Sequence, residues 1–420
     1  YRREESDFQT DQLILDGLTF GSNNSGPTFP VSGEQEVIEG YFETKLPLIR
    51  DARFAKYLEV TGSARFSAYD GIGRTTTWSA GGRYQPIESL TFRGTFAKAV
   101  RVPNIAELFS PQQPAAIGAD DDPCNPEEIT LGSEFRMANC LMFVAPGFDS
   151  TDFNTAFVPG LSGGNPDLAP EEATTFTVGF VLQPEYIPGL TVIADFYSID
   201  IEGAIDSLAA IDIAEACVDL PSIDNQFCAQ IDRDPVNGNI TGFTSGEINL
   251  AVIETQGVDW SVTYSFALND LFGGSSDLGD FRLNSTGTYF VQFNEFQDPT
   301  DETVFENLLG EFAIPEVISN FSADWSRGPL SLGWRGRYES SQLLPGVSNE
   351  AVGNNALAFD PFETGSAFVH DFTIDYQITD GIQVYGGVNN AFDRDPFLAT
   401  LSRPAGPRGR FFFVGAQANF

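Results

Sequence analysis

Residues 410–420 read RFFFVGAQANF, and this stretch decides how the rest of the chain is interpreted. At a period of two residues, one face is apolar and ends in Phe420, and the other face carries Gln417 and Asn419. A strand with hydrocarbon on its outer face and water on its inner face alternates in this way. The stretch therefore favours the closing strand of a barrel in lipid. A terminal strand of a soluble sandwich is the alternative.

The composition excludes several classes of protein. The 420 residues carry 22 Lys and Arg against 59 Asp and Glu, and the net charge of −37 excludes a nucleic-acid binder. No segment approaches the roughly 18 uninterrupted apolar residues of a membrane helix. The 38 phenylalanines are instead spread through alternating segments, which is the weaker hydropathy signal of barrel strands. The chain opens at Tyr1 without a signal peptide, so we expect a mature or truncated piece.

Alternating segments recur along the whole chain. In residues 257–266, for example, Val258, Trp260 and Val262 alternate with Asp259 and Ser261. About fourteen such segments have the length that a tilted barrel strand needs. They are residues 1–9, 36–45, 58–68, 75–85, 90–100, 174–183, 190–201, 257–266, 281–293, 319–325, 330–339, 368–379, 382–390 and 410–420.

Short and long connections alternate between these segments. The short ones are residues 47–56, 86–89, 184–189, 267–279, 327–329 and 380–381. The long ones are residues 11–35, 101–171, 202–248, 294–318, 340–367 and 391–408, with 69–74 as a weak member of this set. Antiparallel strands that rise and fall between two compartments give this order, with short turns on one side and long loops on the other. The fold class predicted is all-β, an antiparallel transmembrane β-barrel.

Three ordered motifs resemble those of TonB-dependent outer-membrane receptors. Residues 92–110 read FRGTFAKAVRVPNIAELFS, which is similar to the family's aromatic strand running into R-x-P-N-x-x-E-L-F. Residues 164–171, GNPDLAPE, resemble its G-N-P-x-L-x-P-E segment. Residues 389–393, NNAFD, precede a terminal strand that is similar to the family's closing strand.

The resemblance implies a 22-stranded barrel with a plug domain in its lumen, in the outer membrane of a Gram-negative bacterium. It also implies uptake of a scarce nutrient (siderophore-bound iron, cobalamin or an oligosaccharide) coupled to TonB, and insertion by the barrel assembly machinery. Residues 1–420 contain no plug, TonB box or early strands. We therefore expect the carboxy-terminal part of the barrel domain, about 14 of 22 strands, with an open sheet or one closed only by a non-native contact.

One set of charged residues shares the inward parity of the predicted strands. We predict that these side chains line the lumen, pair with one another and meet the missing plug, because an arginine facing lipid at mid-membrane costs about 2–4 kcal/mol. The cations are Arg65, Arg83, Arg93, Arg282, Arg335 and Arg337. The carboxylates are Glu59, Asp195, Asp259, Asp371 and Asp375.

The four cysteines form two local pairs in long loops, Cys124 with Cys140 and Cys217 with Cys228. Four cysteines allow three connectivities, and the local pairing is favoured because it closes short loops in an oxidising exterior. A metal site is the weaker alternative, because the spacings lack C-x-x-C and the lone His370 is distant in sequence. His370 shares the parity of Phe372, which indicates an interfacial residue rather than a ligand.

Acidic and aromatic clusters in the long loops are the remaining candidates for binding. Residues 120–122 and 232–238 could hold Ca²⁺ through oxygen ligands, although solvated acidic loops are the better interpretation and no other cofactor is predicted. Several phenylalanines of the longest loop could stack on a ligand, and we expect them instead to pack that loop on itself. These are Phe109, Phe135, Phe143, Phe148 and Phe153.

Catalysis is not indicated. A single histidine permits no Ser-His-Asp, Cys-His or H-E-x-x-H set, and no spacing asks for a carboxylate pair. The alternative to the receptor is a passive porin-like channel, which would lack the receptor motifs. A soluble β-rich hydrolase would need a polar outer face, whereas Phe, Trp and Tyr occupy one face of the predicted strands throughout the chain. The sequence does not identify the small-molecule ligand, because specificity resides in loops.

The closing strand gives a first prediction for the complete receptor. An amphipathic strand with an unpaired edge and an apolar last side chain is suited to strand addition by the insertion machinery. We expect Phe420→Ala, or deletion of Phe420, to lower the amount of receptor in the outer membrane without changing ligand affinity. Charged substitutions within residues 294–318 should do the reverse, changing ligand affinity without lowering the amount of receptor in the outer membrane. Heat-modifiable mobility of membrane fractions, measured beside uptake per inserted molecule, checks both expectations. Normal insertion of the Phe420 variant with loss of uptake would contradict this role.

Overall fold

The computed structural model describes most of the chain. The described residues are 1–9, 11–15, 30–118, 121–143, 157–273, 277–296, 305–311, 313–343, 364–396 and 409–418. Asn419 and Phe420, and with them the predicted insertion signal, lie outside this part.

The described residues contain eighteen strands in one sheet. In chain order they are β1 (Arg2–Phe8), β2 (Val31–Ala52), β3 (Ala55–Tyr69), β4 (Gly73–Ile87), β5 (Leu90–Arg101), β6 (Gln113–Gly118), β7 (Phe157–Gly163), β8 (Glu171–Leu182), β9 (Leu190–Leu208), β10 (Ile231–Arg233), β11 (Ile240–Ala267), β12 (Asp280–Phe296), β13 (Phe305–Asn307), β14 (Val317–Arg327), β15 (Leu330–Glu339), β16 (Ala367–Thr379), β17 (Ile382–Asn389) and β18 (Phe411–Ala418). Five short helices lie between them, namely α1 (Gln12–Leu15), α2 (Ile105–Phe109), α3 (Arg136–Cys140), α4 (Ala210–Asp219) and α5 (Leu268–Phe272).

Fourteen of these strands form a continuous antiparallel meander, which confirms the number predicted. Each pairs with the next in the order β1, β2, β3, β4, β5, β8, β9, β11, β12, β14, β15, β16, β17 and β18. The short strands β6, β7, β10 and β13 belong to the long connections. Among the described residues no pairing joins β1 to β18, so the sheet is open, as expected for part of a barrel.

The strand register separates the two faces of the sheet. Side chains of directly paired residues lie on the same face. Glu59, Arg83, Arg93, Asp195 and Asp259 belong to one row of partners that crosses the sheet, with Gly179 between Arg93 and Asp195. The opposite face carries the large apolar side chains. Its exposed members include Phe42, Phe66, Trp78, Phe96, Phe372 and Phe412.

Several strands are longer than the alternation predicts. Strand β2 has 22 residues, β9 has 19 and β11 has 28, whereas a tilted membrane strand needs about 9–11. The predicted connection 47–56 is correspondingly too long, because β2 continues to Ala52 and β3 begins at Ala55. The extra length of β9 and β11 lies on the long-loop side, where both extend past the start of β8 at Glu171.

The helices of the described part do not reach the length and hydropathy needed to cross a bilayer. Four of the five have four or five residues, and α4 has ten.

The assignment of the two faces can be tested with one pair of neighbouring substitutions. Val262 lies in β11 on the apolar face, and Ser261 beside it shares the face of Asp259. If the apolar face meets lipid, Val262→Arg should lower the free energy of unfolding by about 2–4 kcal/mol, because a guanidinium at mid-membrane loses its water. Ser261→Arg should be tolerated, since carboxylates lie nearby. Unfolding of the complete protein in liposomes by urea measures both, and equal losses would contradict the assignment.

Candidate functional site

The two longest connections fold together into one unit at the long-loop end of the sheet. This unit, the cap, consists of the described residues of 101–171 and 202–248. Its core is a cluster of buried apolar side chains that includes Ile213 and Val218 of α4, both 0% exposed. Phe243 of β11 and Val158 of β7 complete the cluster from the strand side. The long loops are therefore an ordered layer with its own core, placed on the extensions of β9 and β11.

Two disulfides hold the cap, and they confirm the predicted local pairing. Cys124 bonds Cys140 with Cα atoms 5.4 Å apart, and Cys217 bonds Cys228 with Cα atoms 4.6 Å apart. Both separations are ordinary for a disulfide. Because Cys140 ends α3 and Cys217 lies in α4, the bonds fasten two short helices to neighbouring loop segments. Helices of this length have little stability alone, so covalent closure and burial hold them.

Two buried ion pairs connect the two loops that form the cap. Arg233 of β10 donates to both carboxylate oxygens of Asp122, at 2.9 and 3.1 Å, and both side chains are at most 5% exposed. Arg136 of α3 donates from Nε to Asp219 at the end of α4, at 2.7 Å. The hydrogen bond to Asp219 raises the pKa of Arg136. Each arginine belongs to one loop and its carboxylate to the other, so the pairs fix the relative position of the two loops.

The candidate calcium residues have structural roles in the described part of the chain. Asp122 is the partner of Arg233, and Asp234 accepts the backbone amides of Val236 and Asn237 in a turn. Asp120 lies outside the described residues. Within the described residues no group of three or more His, Cys, Asp or Glu side chains is arranged to hold a metal ion. Calcium binding by these loops, the weaker of the two interpretations, stays untested.

The first two sequence motifs meet at the base of the cap. Asn104 and Glu107 form a capping box at α2. The Glu107 backbone N–H donates to Asn104 Oδ1 at 2.9 Å, and the Asn104 backbone N–H donates to Glu107 Oε2 at 2.7 Å. Arg101 donates to Glu107 at 2.9 Å and to Glu171 at 2.5 Å, so one guanidinium joins the two motifs. A Cβ on Gly164 would lie 2.7 Å from the Ser110 nitrogen, so glycine permits this close approach.

A polar cavity of about 430 Å³ lies beside this junction within the cap, where loop residues face the extension of β11. Its lining combines amide, hydroxyl and carboxylate groups and exposed backbone with the apolar Pro166 and Ile248. The side chains that define it are Gln112, Asn165, Gln226, Gln230, Thr244 and Glu247. The Asn165 side-chain amide donates to the Glu247 backbone carbonyl at 3.1 Å, and this hydrogen bond holds the loop against β11. The Gln226 side-chain amide makes no hydrogen bond within the described residues.

Glu247 is an acidic group of the cavity that interacts electrostatically with Arg101 and Glu107 of the motif junction. It belongs to the part of β11 that extends beyond Glu171, outside the length needed for a membrane crossing. Burial raises the pKa of Glu247, and the neighbouring carboxylates of Glu107 and Asp206 raise it further, whereas Arg101 lowers it. The carboxylates around Glu247 therefore have a larger electrostatic effect on it than Arg101, and the potential at this site is negative.

The structure places all of the predicted inward-facing charges on one face of the sheet. Arg93 donates to Asp195 at 2.8 Å, and Gly179 between them leaves the room, since a Cβ there would lie 2.1 Å from the carboxylate. Arg335 forms an ion pair with Asp324 at 2.7 Å, and Arg282 is the register partner of Asp324.

The other members of this face are held by neighbouring side chains or backbone. Arg65 lies over the ring of Tyr41, and Arg83 over the ring of Tyr57. Asp371 accepts a hydrogen bond from the backbone amide of Asn390 at 2.6 Å, and Asp375 accepts one from the side-chain amide of Gln383 at 3.0 Å. Arg337 follows Arg335 by two residues on β15.

His370 lies on the apolar face in a group of aromatic side chains. Its Nδ1 accepts a hydrogen bond from Trp334 at 3.2 Å, and its ring lies 4.2 Å from Phe368 and 4.9 Å from Phe392. Aromatic girdles at this position are typical of barrel strands near a membrane surface.

The loop phenylalanines do not form one cluster. Phe143 packs on the cap, with the guanidinium of Arg233 5.0 Å from its ring centroid, and Phe135 precedes α3. Phe109 instead lies against Gly33 of β2, where a Cβ would meet its ring at 2.6 Å. The expectation that these rings pack the loop on itself is therefore wrong for Phe109. Phe148 and Phe153 lie outside the described residues.

Sequence reasoning missed the buried ion pairs and the cavity. Asp122 and Asp219 are two of many carboxylates in the loops, and nothing near them in sequence indicates which arginine each one meets. The contact between Arg101 and Glu171 had a usable signal, because both residues belong to the quoted motifs.

Comparison with known proteins agrees with this architecture. A family model described as TonB dependent receptor-like, beta-barrel matches residues 2–391. Among curated proteins, the vitamin B12 transporter BtuB of Vibrio vulnificus is 32% identical over 104 residues, which are 24% of this chain and 15% of that protein.

Two solved receptors have the same fold at low sequence identity. The ferric enterobactin receptor PfeA of Pseudomonas aeruginosa is 15% identical with a TM-score of 0.59, over 94% of this chain and 46% of that chain. The siderophore receptor PirA of Acinetobacter baumannii is 16% identical with a TM-score of 0.58, over 94% and 47%. The chain thus spans just under half the length of these receptors, and at such identities the likeness concerns the fold.

The buried pair between Asp122 and Arg233 gives a prediction for the cap. Asp122→Asn leaves the guanidinium of Arg233 buried without its counter-charge, which costs about 3–5 kcal/mol. We expect the cap to open locally while the sheet stays folded, because both disulfides and the strand ladder remain. Hydrogen exchange of amides in residues 122–143 and 228–240 should accelerate strongly. The matched control is Asp232→Asn, an exposed carboxylate next to Arg233 in β10. Equal protection of the cap in both variants would contradict the role of the pair.

Proposed function

Because the chain belongs to the TonB-dependent receptor family as part of its β-barrel, we propose that the complete protein is an outer-membrane nutrient receptor. Its ligand is scarce (siderophore-bound iron, cobalamin or an oligosaccharide), and energy from TonB drives transport. The observation that carries the proposal is the division of the fourteen-stranded meander into an apolar face and a charged face. A sheet with this division is stable between lipid and a polar lumen.

The charged face supports a plugged lumen. Arg65, Arg83, Arg282 and Arg337 project from a face that also carries Asp371 and Asp375. In the complete receptor these groups face the barrel interior, where the plug domain and its hydrogen-bonding groups replace the water that would fill an open channel. A charged interior surface supports reversible contact with a moving plug, because salt and water compete for each ion pair.

The cap supports a role in ligand capture on the outer surface. The order of short turns and long loops supports an extracellular position of the cap, and its two disulfides fit an oxidising environment. A loop layer with its own buried core presents binding groups with little ordering cost when the ligand arrives. Recognition therefore resides in the cap, and the barrel supplies the path across the membrane.

Energy dependence separates a TonB-coupled receptor from a porin-like channel. The complete receptor is expressed in a Gram-negative host lacking its own receptors. Accumulation of labelled cyanocobalamin, maltohexaose and ferric enterobactin is then measured with and without TonB. We expect one probe to bind at the surface in both strains and to accumulate only with TonB.

Host cells carrying the empty vector are the control for background entry, and heat-modifiable mobility shows that the receptor is inserted. Accumulation that is equal without TonB and rises linearly with probe concentration would establish passive diffusion and contradict the receptor function.

A further inference from the structure

The charge of the cap restricts the class of ligand. Residues 101–171 and 202–248 contain three arginines, no lysine and twenty carboxylates. All three arginines are already paired with carboxylates of the cap, since Arg101 contacts Glu107 and Glu171, Arg136 contacts Asp219, and Arg233 contacts Asp122. Arg136 and Arg233 are also buried, with side chains 5% exposed. The cap therefore has no uncommitted cation to offer a ligand.

An anionic ligand would be bound at a high cost in this environment. Specific recognition of carboxylates, phosphates and similar oxyanions relies on unpaired Arg or Lys groups, which form charge-assisted hydrogen bonds. To use one of the cap arginines, such a ligand would have to displace a carboxylate that is itself partly buried. The displaced carboxylate would then lie close to the ligand and repel it.

The cavity beside β11 offers a different kind of chemistry. Its polar groups are side-chain amides, hydroxyls, exposed backbone and the carboxylates of Asp167 and Glu247, which lie beside the apolar Pro166 and Ile248. Amides donate and accept in fixed directions, which suits ligand groups that also do both, such as hydroxyls and carboxamides. Gln226, Gln230 and Thr244 supply these groups from two different segments of the cap. The volume of about 430 Å³ accommodates one portion of a ligand of ordinary size.

We propose that this cavity is a ligand subsite for an uncharged group rich in hydroxyls or carboxamides, and that the cap selects against polyanionic ligands. This inference rests on the proposed receptor function. It makes ferric catecholate complexes, which carry several negative charges, unfavourable ligands for the cap. It favours ligands whose outer surface is neutral, such as an amide-bearing corrinoid or an oligosaccharide.

Two variants of the complete receptor test the subsite. In the first, Gln226→Ala and Gln230→Ala are combined, which removes the exposed amide of Gln226 and the half-buried amide of Gln230 and leaves the disulfides and ion pairs in place. We expect the Kd of the neutral probe, cyanocobalamin or maltohexaose, to rise about tenfold, as the loss of two hydrogen bonds predicts. In the second, Glu247→Lys introduces the missing cation. We expect the Kd for ferric enterobactin to fall about tenfold at low ionic strength, and this gain to disappear at high salt.

The control is Glu185→Lys, which makes the same change in net charge in an exposed short turn at the opposite end of the sheet. Binding is measured on detergent-purified receptor whose disulfides are intact on a non-reducing gel. Tight binding of ferric enterobactin to the unsubstituted receptor, or an unchanged Kd of the neutral probe in the double variant, would overturn the inference. In either case TonB-dependent uptake can persist, so the proposed function would stand. Failure of every probe to accumulate with TonB would contradict both.

Discussion

The hydrogen bonds between neighbouring strands are the constraint on which the rest of this structure depends. Within a bilayer a backbone amide has no water to bond, so each strand must be paired along its length by its neighbours. The fourteen strands satisfy this requirement in sequence, from β1 to β18, and among the described residues β1 and β18 form the two outer edges of the meander. Pairing of this kind also fixes the side-chain alternation. Once the register is set, each charged side chain is assigned to one face of the sheet and is absent from the other face.

The cap is a consequence of strands that are longer than the membrane requires. Strands β9 and β11 continue past the others, the extension of β11 contacts α4, β7 and β10, and α3 packs on α4. The core of the cap is small, so burial alone gives limited stability. Disulfides and buried ion pairs compensate by joining segments distant in sequence, as Arg233 and Asp122 show. The same carboxylates that stabilise the cap neutralise its arginines, so structural stability and ligand selectivity are linked through one set of side chains.

The sequence motifs have a physical meaning once their contacts are known. Arg101, Asn104 and Glu107 form a capped turn that ends the strand, and Glu171 begins the next long strand beside it. Gly164 is needed because the second motif passes against the backbone of the first. The contact between the two motifs therefore holds the two ends of the longest loop together. This contact lies beside the polar cavity, next to the groups that we assign to ligand binding.

The sequence by itself determined the strand number, the two faces and the local disulfide pairing. All of these follow from short-range periodicity or from loop closure, in which a residue's neighbours in sequence decide its environment. Tertiary structure alone decided the lengths of β2 and β11, the contact of Phe109 with Gly33, and the partners of Arg136 and Arg233. These depend on segments tens of residues apart, and with twenty carboxylates in the two loops no local pattern specifies which one an arginine meets. The polar cavity belongs to this second class, because its lining is assembled from four separate segments.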